Sequence, residues 1–217
     1  YPETPSTEIM EYIQSSGQAV ERNIHREWSS NEKTAMEAAL GMSYAGKRAM
    51  VAMKHVGLNV AADGFINSAI TGVNGGLIVV AADDPSMHSS QNEQDSRFYA
   101  KFAFVPCFEP SDQQEAYDMA YEGFKLSEKL KIPIMLRITT RLSHSRAGIE
   151  TRPLKQENKL TYPKDPIQFV LLPSNARKRY KGLLGLQSLM EQEAERSSFN
   201  TFYPARNKSL GVIACGI

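Results

Sequence analysis

Cysteine is nearly missing from this chain: 217 residues carry two, Cys107 and Cys215, far apart and outside any Cys-x-x-Cys pair. That excludes a disulfide framework, a zinc ribbon or an iron–sulfur cluster built within the chain, and makes reducing, cytoplasmic surroundings the expectation. Long apolar runs are missing too. None approaches the roughly 18 residues of a membrane span. No secretory leader opens the chain, although it starts at Tyr1 without an initiator methionine and so reads as a fragment or a trimmed chain. Charge of one sign is not in excess either. The net charge is +1, which leaves no electrostatic footprint for nucleic acid or a membrane surface. The sequence has no Gly-rich phosphate cradle and no Gly-x-Ser-x-Gly turn, and His25, His55, His88 and His144 stand without metal-ligand spacing. Phosphate-loop, covalent-hydrolase and zinc chemistries are thereby set aside, and no metal site is expected in this chain.

What is present is an ordinary globular composition, 41% apolar and 23% charged, long enough for one substantial core. Thr4-Pro5 reads as a helix start, with threonine as cap and proline in the first turn, and the helix is expected to stop near Gly17. A short strand is expected over 23–28 and a helix over 30–45, with Ala35, Ala38, Ala39 and Met42 on one face. A strand over 48–53 leads to a helix over 56–71. Residues 77–82, Leu-Ile-Val-Val-Ala-Ala, form a continuous apolar run, as in the middle of a parallel sheet. A polar surface loop over 86–94 follows, then a short strand over 105–108. Ser111-Asp112 caps a long helix that ends before a last strand over 133–138. Alternation of this kind predicts an α/β fold: a three-layer open, mainly parallel sheet with helices on both faces.

Residues 141–165 are polar and carry Pro153 and Pro163. They read as a linker arm, followed by a wrapping helix over 175–195. The expected organisation is a main domain over 1–140, an arm and helix over 141–209, and over 210–217 the first strand of a second, truncated domain.

In parallel sheets ligands bind beyond the carboxyl ends of the strands. Here those ends hold Trp28-Ser29, Met53-Lys54-His55 and Ala82-Asp83-Asp84. Glu32 opens the helix after the first of them. Ser29-x-x-Glu32 has the spacing of a capping box, in which serine and glutamate satisfy each other's free amides, so a purely structural role competes with a chemical one. Lys54-His55 faces the ligand crevice or belongs to a solvated loop, and pattern alone leaves both open.

Four segments together resemble one family: Tyr1-Pro2-Glu3-Thr4-Pro5-Ser6-Thr7-Glu8, Glu27-Trp28-Ser29-Ser30-Asn31-Glu32-Lys33, Met53-Lys54-His55-Val56-Gly57-Leu58-Asn59, and the stretch from Asp83 to Asp95. They are similar to the N-terminal pyrimidine-binding domain of the 2-oxoacid:ferredoxin oxidoreductases, and most of all to the indolepyruvate-using members. Residues 171–177 and Gly211-Val212-Ile213 fit as well. The resemblance implies thiamine diphosphate as cofactor. Glu32 would be the catalytic glutamate that hydrogen-bonds N1′ of the aminopyrimidine, favouring the tautomer whose 4′ nitrogen can act as a base. Pro2, Lys54, His55, Val56 and Gly57 would line the cofactor, and Thr4 would meet the substrate carboxylate or carbonyl.

The resemblance further implies oxidative decarboxylation of an aryl 2-oxoacid to an acyl-CoA with ferredoxin as acceptor. It also implies a beta subunit, an oligomer, and Mg²⁺ and 4Fe-4S clusters held in regions outside this chain, since neither Gly-Asp-Gly nor ferredoxin-like cysteines occur here. Pyruvate-using relatives carry an arginine near the position of Asp83. An acid there is expected to repel a small 2-oxoacid, which favours arylpyruvates. A related oxidoreductase of other substrate, or a non-catalytic assembly subunit of the same fold, are the alternatives.

Overall fold

A computed structural model describes residues 1–206 and 208–216. Strands β1 (Ala49–Lys54), β2 (Leu77–Asp83), β3 (Cys107–Phe108) and β4 (Ile134–Thr139) form one sheet in the order β1-β2-β4-β3, every neighbouring pair parallel. The helices are α1 (Thr7–Ser15), α2 (Gly17–Glu21), α3 (Glu32–Tyr44), α4 (His55–Thr71), α5 (Arg97–Ala103), α6 (Gln113–Leu130), α7 (Thr140–Ser143), α8 (Pro173–Gly185) and α9 (Gln187–Glu195).

All residues of β2 and β4 are buried, because each strand alternates between two covered faces. On one face Leu77, Val79, Ala81 and Met135 pack with Met36 of α3, Leu58 and Phe65 of α4, and Leu183 of α8. On the other, Ile78, Val80, Ala82, Leu136 and Ile138 meet Met119 and Phe124 of α6 and Ile9 of α1. The three-layer expectation holds. Small residues allow the layers to close: a Cβ on Gly64 of α4 would come within 3.1 Å of Met36 Cγ on α3.

Several local expectations do not hold. Residues 23–28 form no strand; most are exposed, and little apolar surface exists there to join a sheet edge. Helix α1 starts at Thr7 behind Ser6, so Thr4 is no cap. The expected helix over 175–195 is two helices that share Leu186 as cap, where Gly182 and Gly185 weaken the last turn of α8. Residues 210–216 form no strand, and Leu210, Val212 and Ile213 are exposed.

The arm over 144–165 is held against the end of α3 and against α6 by hydrogen bonds. Thr161 N donates to Ala45 O at 2.9 Å, Asn158 Nδ2 to Gly46 O at 3.1 Å, and Tyr121 Oη to Pro153 O at 2.8 Å. Phe169 then stacks on Tyr44, ring centroids 3.8 Å apart, before α8 returns to the α4 side of the core.

Candidate functional site

All four strands point their carboxyl ends the same way, and the unusual residues of the chain meet there. Strand β1 runs into α4 without a loop, which buries Lys54 and His55. The Lys54 Nζ donates to Ser89 O at 2.7 Å. His55 Nε2 donates to Asn92 O at 3.2 Å, since a carbonyl only accepts. Both side chains thus tether the segment expected as a polar surface loop, which is largely exposed.

The end of β2 completes the tether. Asp84 accepts from Ser89 N at 2.8 Å, His88 N at 3.2 Å, Thr140 Oγ1 at 2.7 Å and Ser90 Oγ. Burial pushes its carboxyl up, but the donors Ser90, Ser89, Thr140 and His88 outweigh it and hold the group well below the ordinary carboxylate range. Asp83 is wholly buried and takes Arg137 Nε at 2.6 Å and Ser96 N at 3.0 Å. Arg137 also contacts Glu109. The expectation that Asp83 repels a substrate carboxylate is therefore corrected: its charge is spent on Arg137, inside the sheet end.

Glu32 stands at the first position of α3, and the capping-box expectation fails there as well. Asn31 is the cap, its side chain accepting from Thr34 N at 2.8 Å, and Ser29 takes no part. The Glu32 carboxyl is left free of capping duty and turns inward, only 6% exposed. It lies against Gly57 in the first turn of α4: an ideal Cβ on Gly57 would meet Glu32 Cγ at 2.7 Å and Oε1 at 2.8 Å. No larger residue fits at that spot without moving the acid.

Pro2 and Thr4 are exposed on the loop that leads to α1, on either side of Glu3, and no hydrogen bond engages the Thr4 hydroxyl among the described residues. Val56 is half-buried between Lys54-His55 and Gly57. The structure thus brings Glu32 and Gly57 together, with Pro2 and Thr4 on the N-terminal loop. It gives Lys54 and His55 to the loop above.

Sequence reasoning missed Glu3. Its carboxyl reaches hydrogen-bonding range of Glu32, and its Oε2 is buried with no N–H or O–H donor. Burial first, then the Glu32 charge and the contact between the two carboxyls, push Glu3 above the ordinary range, against the pull of Lys54. No spacing rule links positions 3 and 32; only the loop's path beside β1 could show it.

Among the described residues three buried side-chain atoms lack a hydrogen-bond partner: Glu3 Oε2, His55 Nδ1 and Thr139 Oγ1. All three belong to the carboxyl edge of the sheet, where Thr139 ends β4 and His55 follows β1. Buried polar atoms are otherwise almost always satisfied. Burial and the nearby Glu109 push the Cys107 thiol up to about 12, so it is no thiolate at neutral pH. No group of three or more His, Cys, Asp or Glu side chains among the described residues is arranged to hold a metal ion. No helix of the described residues is long and apolar enough to cross a membrane.

The family profile of the pyruvate flavodoxin/ferredoxin oxidoreductase thiamine diphosphate-binding domain matches residues 1–179. The chain belongs to this family. Among similar proteins, the indolepyruvate oxidoreductase subunit IorA of Thermococcus kodakarensis is 44% identical over the whole chain, and that of Pyrococcus abyssi is 46% identical. The chain spans about a third, 34%, of the length of each. A solved 2-oxoglutarate:ferredoxin oxidoreductase from Magnetococcus marinus, with 2-oxoglutarate, coenzyme A and succinyl-CoA bound, superimposes with a TM-score of 0.66. That match is 16% identical, covers 88% of this chain and 41% of the other, and bears on the fold alone. A thiamine diphosphate-binding domain is what the family supplies. The buried Glu32 carboxyl against Gly57, with the unpartnered Glu3 oxygen next to it, is chemically suited to meet a ring nitrogen that takes a proton.

Proposed function

We propose that this chain forms the aminopyrimidine side of the thiamine diphosphate site in an indolepyruvate:ferredoxin oxidoreductase. The observation that carries the reading is the uncapped, buried Glu32 carboxyl lying on Gly57 at the carboxyl edge of the sheet. Indolepyruvate as the substrate rests on the 44–46% identity to indolepyruvate oxidoreductase subunits. Bound there, the cofactor supplies an electron sink for decarboxylation of a 2-oxoacid.

The residues of this chain have separable tasks. Glu32 holds a proton at N1′, and its dry surroundings keep water from competing for it. Gly57 seats the Glu32 carboxyl, and Val56 beside it would border the aminopyrimidine. Lys54, His55 and Asp84 hold the 86–94 segment over the strand ends. Pro2 shapes the entry loop, and the Thr4 hydroxyl is free to donate to the 2-oxoacid. Coenzyme A, ferredoxin, a beta subunit, Mg²⁺ and 4Fe-4S clusters belong to the proposed whole enzyme. Residues 210–217 would lead into its next domain, with the boundaries of the first domain and the arm near 140 and 209.

Substituting Glu32 with glutamine tests the reading directly. The full-length protein with Glu32→Gln, assayed with indolepyruvate and a viologen acceptor, is expected to lose about 10²-fold or more of its activity. Activity near wild type overturns the assignment. A panel of pyruvate, phenylpyruvate and 2-oxoglutarate on the unaltered enzyme decides between the indolepyruvate reading and a related enzyme of other substrate. With the Asp83 charge compensated by Arg137, the strand end no longer speaks against the smaller acids.

A further inference from the structure

Glu3 is a second carboxyl where the proposed chemistry calls for one. The same ideal Cβ on Gly57 that meets Glu32 Oε1 at 2.8 Å would meet Glu3 Oε2 at 3.0 Å, so both acids rest on one glycine. The Glu3 oxygen is buried with no donor from the described chain. Two carboxylates in such contact cannot both stay ionised. A proton between them removes the repulsion and satisfies the orphaned oxygen at once. We propose that Glu3 is a positioning residue for Glu32, the two carboxyls sharing one proton, so that the carboxyl pair meets the aminopyrimidine with a proton to offer to N1′. The inference rests on the functional reading above for its last step only.

One neighbouring charge works against the shared proton. The Lys54 ammonium from the end of β1 faces Glu3 and favours its ionised form, but burial and the Glu32 carboxyl outweigh it. Lys54 is already engaged with Ser89 O. His55, next along, donates Nε2 to Asn92 O, and its Nδ1 is buried without a partner. Lys33 on α3 points away, to Glu37 and Asp63. The proton passes along a hydrogen bond from the carboxyl pair to N1′ and returns by the same route, so no further reactant is needed.

The test uses the cofactor-free full-length protein with its partner subunit. Infrared spectra across the pH range from 5 to 8 are expected to show a protonated-carboxyl band that persists above about pH 6, beyond the ordinary glutamate range. That band disappears in Glu3→Gln and equally in Glu32→Gln, and stays in Glu3→Asp. No such band in the wild type, or a band that survives Glu3→Gln, overturns the proposal. The wild-type spectrum decides even where a variant fails to fold. A second readout is calorimetry of thiamine diphosphate with Mg²⁺ near pH 7 in buffers of different ionisation enthalpy. Wild type takes up almost no proton on binding, whereas Glu3→Gln takes up close to one per site; equal uptake in the two overturns the role towards Glu32. If the wild type binds no thiamine diphosphate while the shared-proton band behaves as stated, the functional reading fails and the carboxyl pair stands.

Discussion

Gly57 makes the carboxyl site possible by having no side chain. Its missing Cβ leaves room in which Glu32 Cγ, Glu32 Oε1 and Glu3 Oε2 all lie within 3.0 Å of one point. Gly57→Ala fills that room and has to push the glutamate aside, because the helix backbone on the other side cannot give way. A displacement near 1 Å at a reacting group costs about 10²-fold in rate. The variant is therefore expected to lose about that much indolepyruvate oxidation in the full-length enzyme. Its melting temperature should change little, since alanine is the better helix former. A Gly57→Ala enzyme with wild-type kcat would show that the acids do not need this contact. Neither Glu3 nor this glycine was marked by any spacing in the sequence, because their relation is made by two segments that meet only in the fold. Glu32 was legible by resemblance, while its local chemistry was misjudged: Ser29 had the right spacing for a cap, and Asn31, the nearer competent acceptor, takes the role.

At the scale of elements, the strand ends are held by two acids with opposite kinds of partner. Asp84 is held by hydroxyls and amides of the 86–94 segment and of Thr140, and its carboxyl lies below the ordinary range. A group depressed in the folded state contributes stability above its unfolded value, and loses it as pH falls through the folded one. The contribution is therefore intact at neutral pH and still largely present near pH 4, then disappears in stronger acid. Asp84→Asn should flatten the acid limb of a melting-temperature-against-pH curve; a limb of unchanged shape would deny Asp84 that part.

Asp83, by contrast, is neutralised by a single cation. Arg137→Met leaves it buried and unpaired, which costs about 3–5 kcal/mol, measured by urea unfolding. Adding Asp83→Asn should recover part of that loss, and a pair that behaves additively would show that the two are not coupled. The sheet itself was readable: the 77–82 run, the 133–138 run and the helix capped by Asp112 lie where the pattern puts them, since buried parallel strands leave an unbroken apolar signature. The 23–28 segment and the division at Leu186 were not readable. Weak patterns there are decided by what the rest of the fold offers as a partner.

On the scale of the whole molecule, the site faces outward at the edge of a closed core. Glu32 and Gly57 are buried, but Pro2 and Thr4 on the N-terminal loop are exposed, so the proposed aminopyrimidine would be covered on one side only by this chain. The matched oxidoreductase subunits are about three times as long, the chain spanning 34% of them, and a second protein surface is expected to hold the diphosphate. Without it the charged end of the cofactor stays in water, where electrostatic contacts are weak, and the aminopyrimidine contacts alone must meet the cost of immobilising the ligand. Isothermal titration of residues 1–217 with thiamine diphosphate and Mg²⁺ is accordingly expected to give little heat, with a dissociation constant weaker than about 1 mM. The full-length protein should bind in the micromolar range or better under the same conditions. Micromolar binding by residues 1–217 would mean that this chain holds the diphosphate as well.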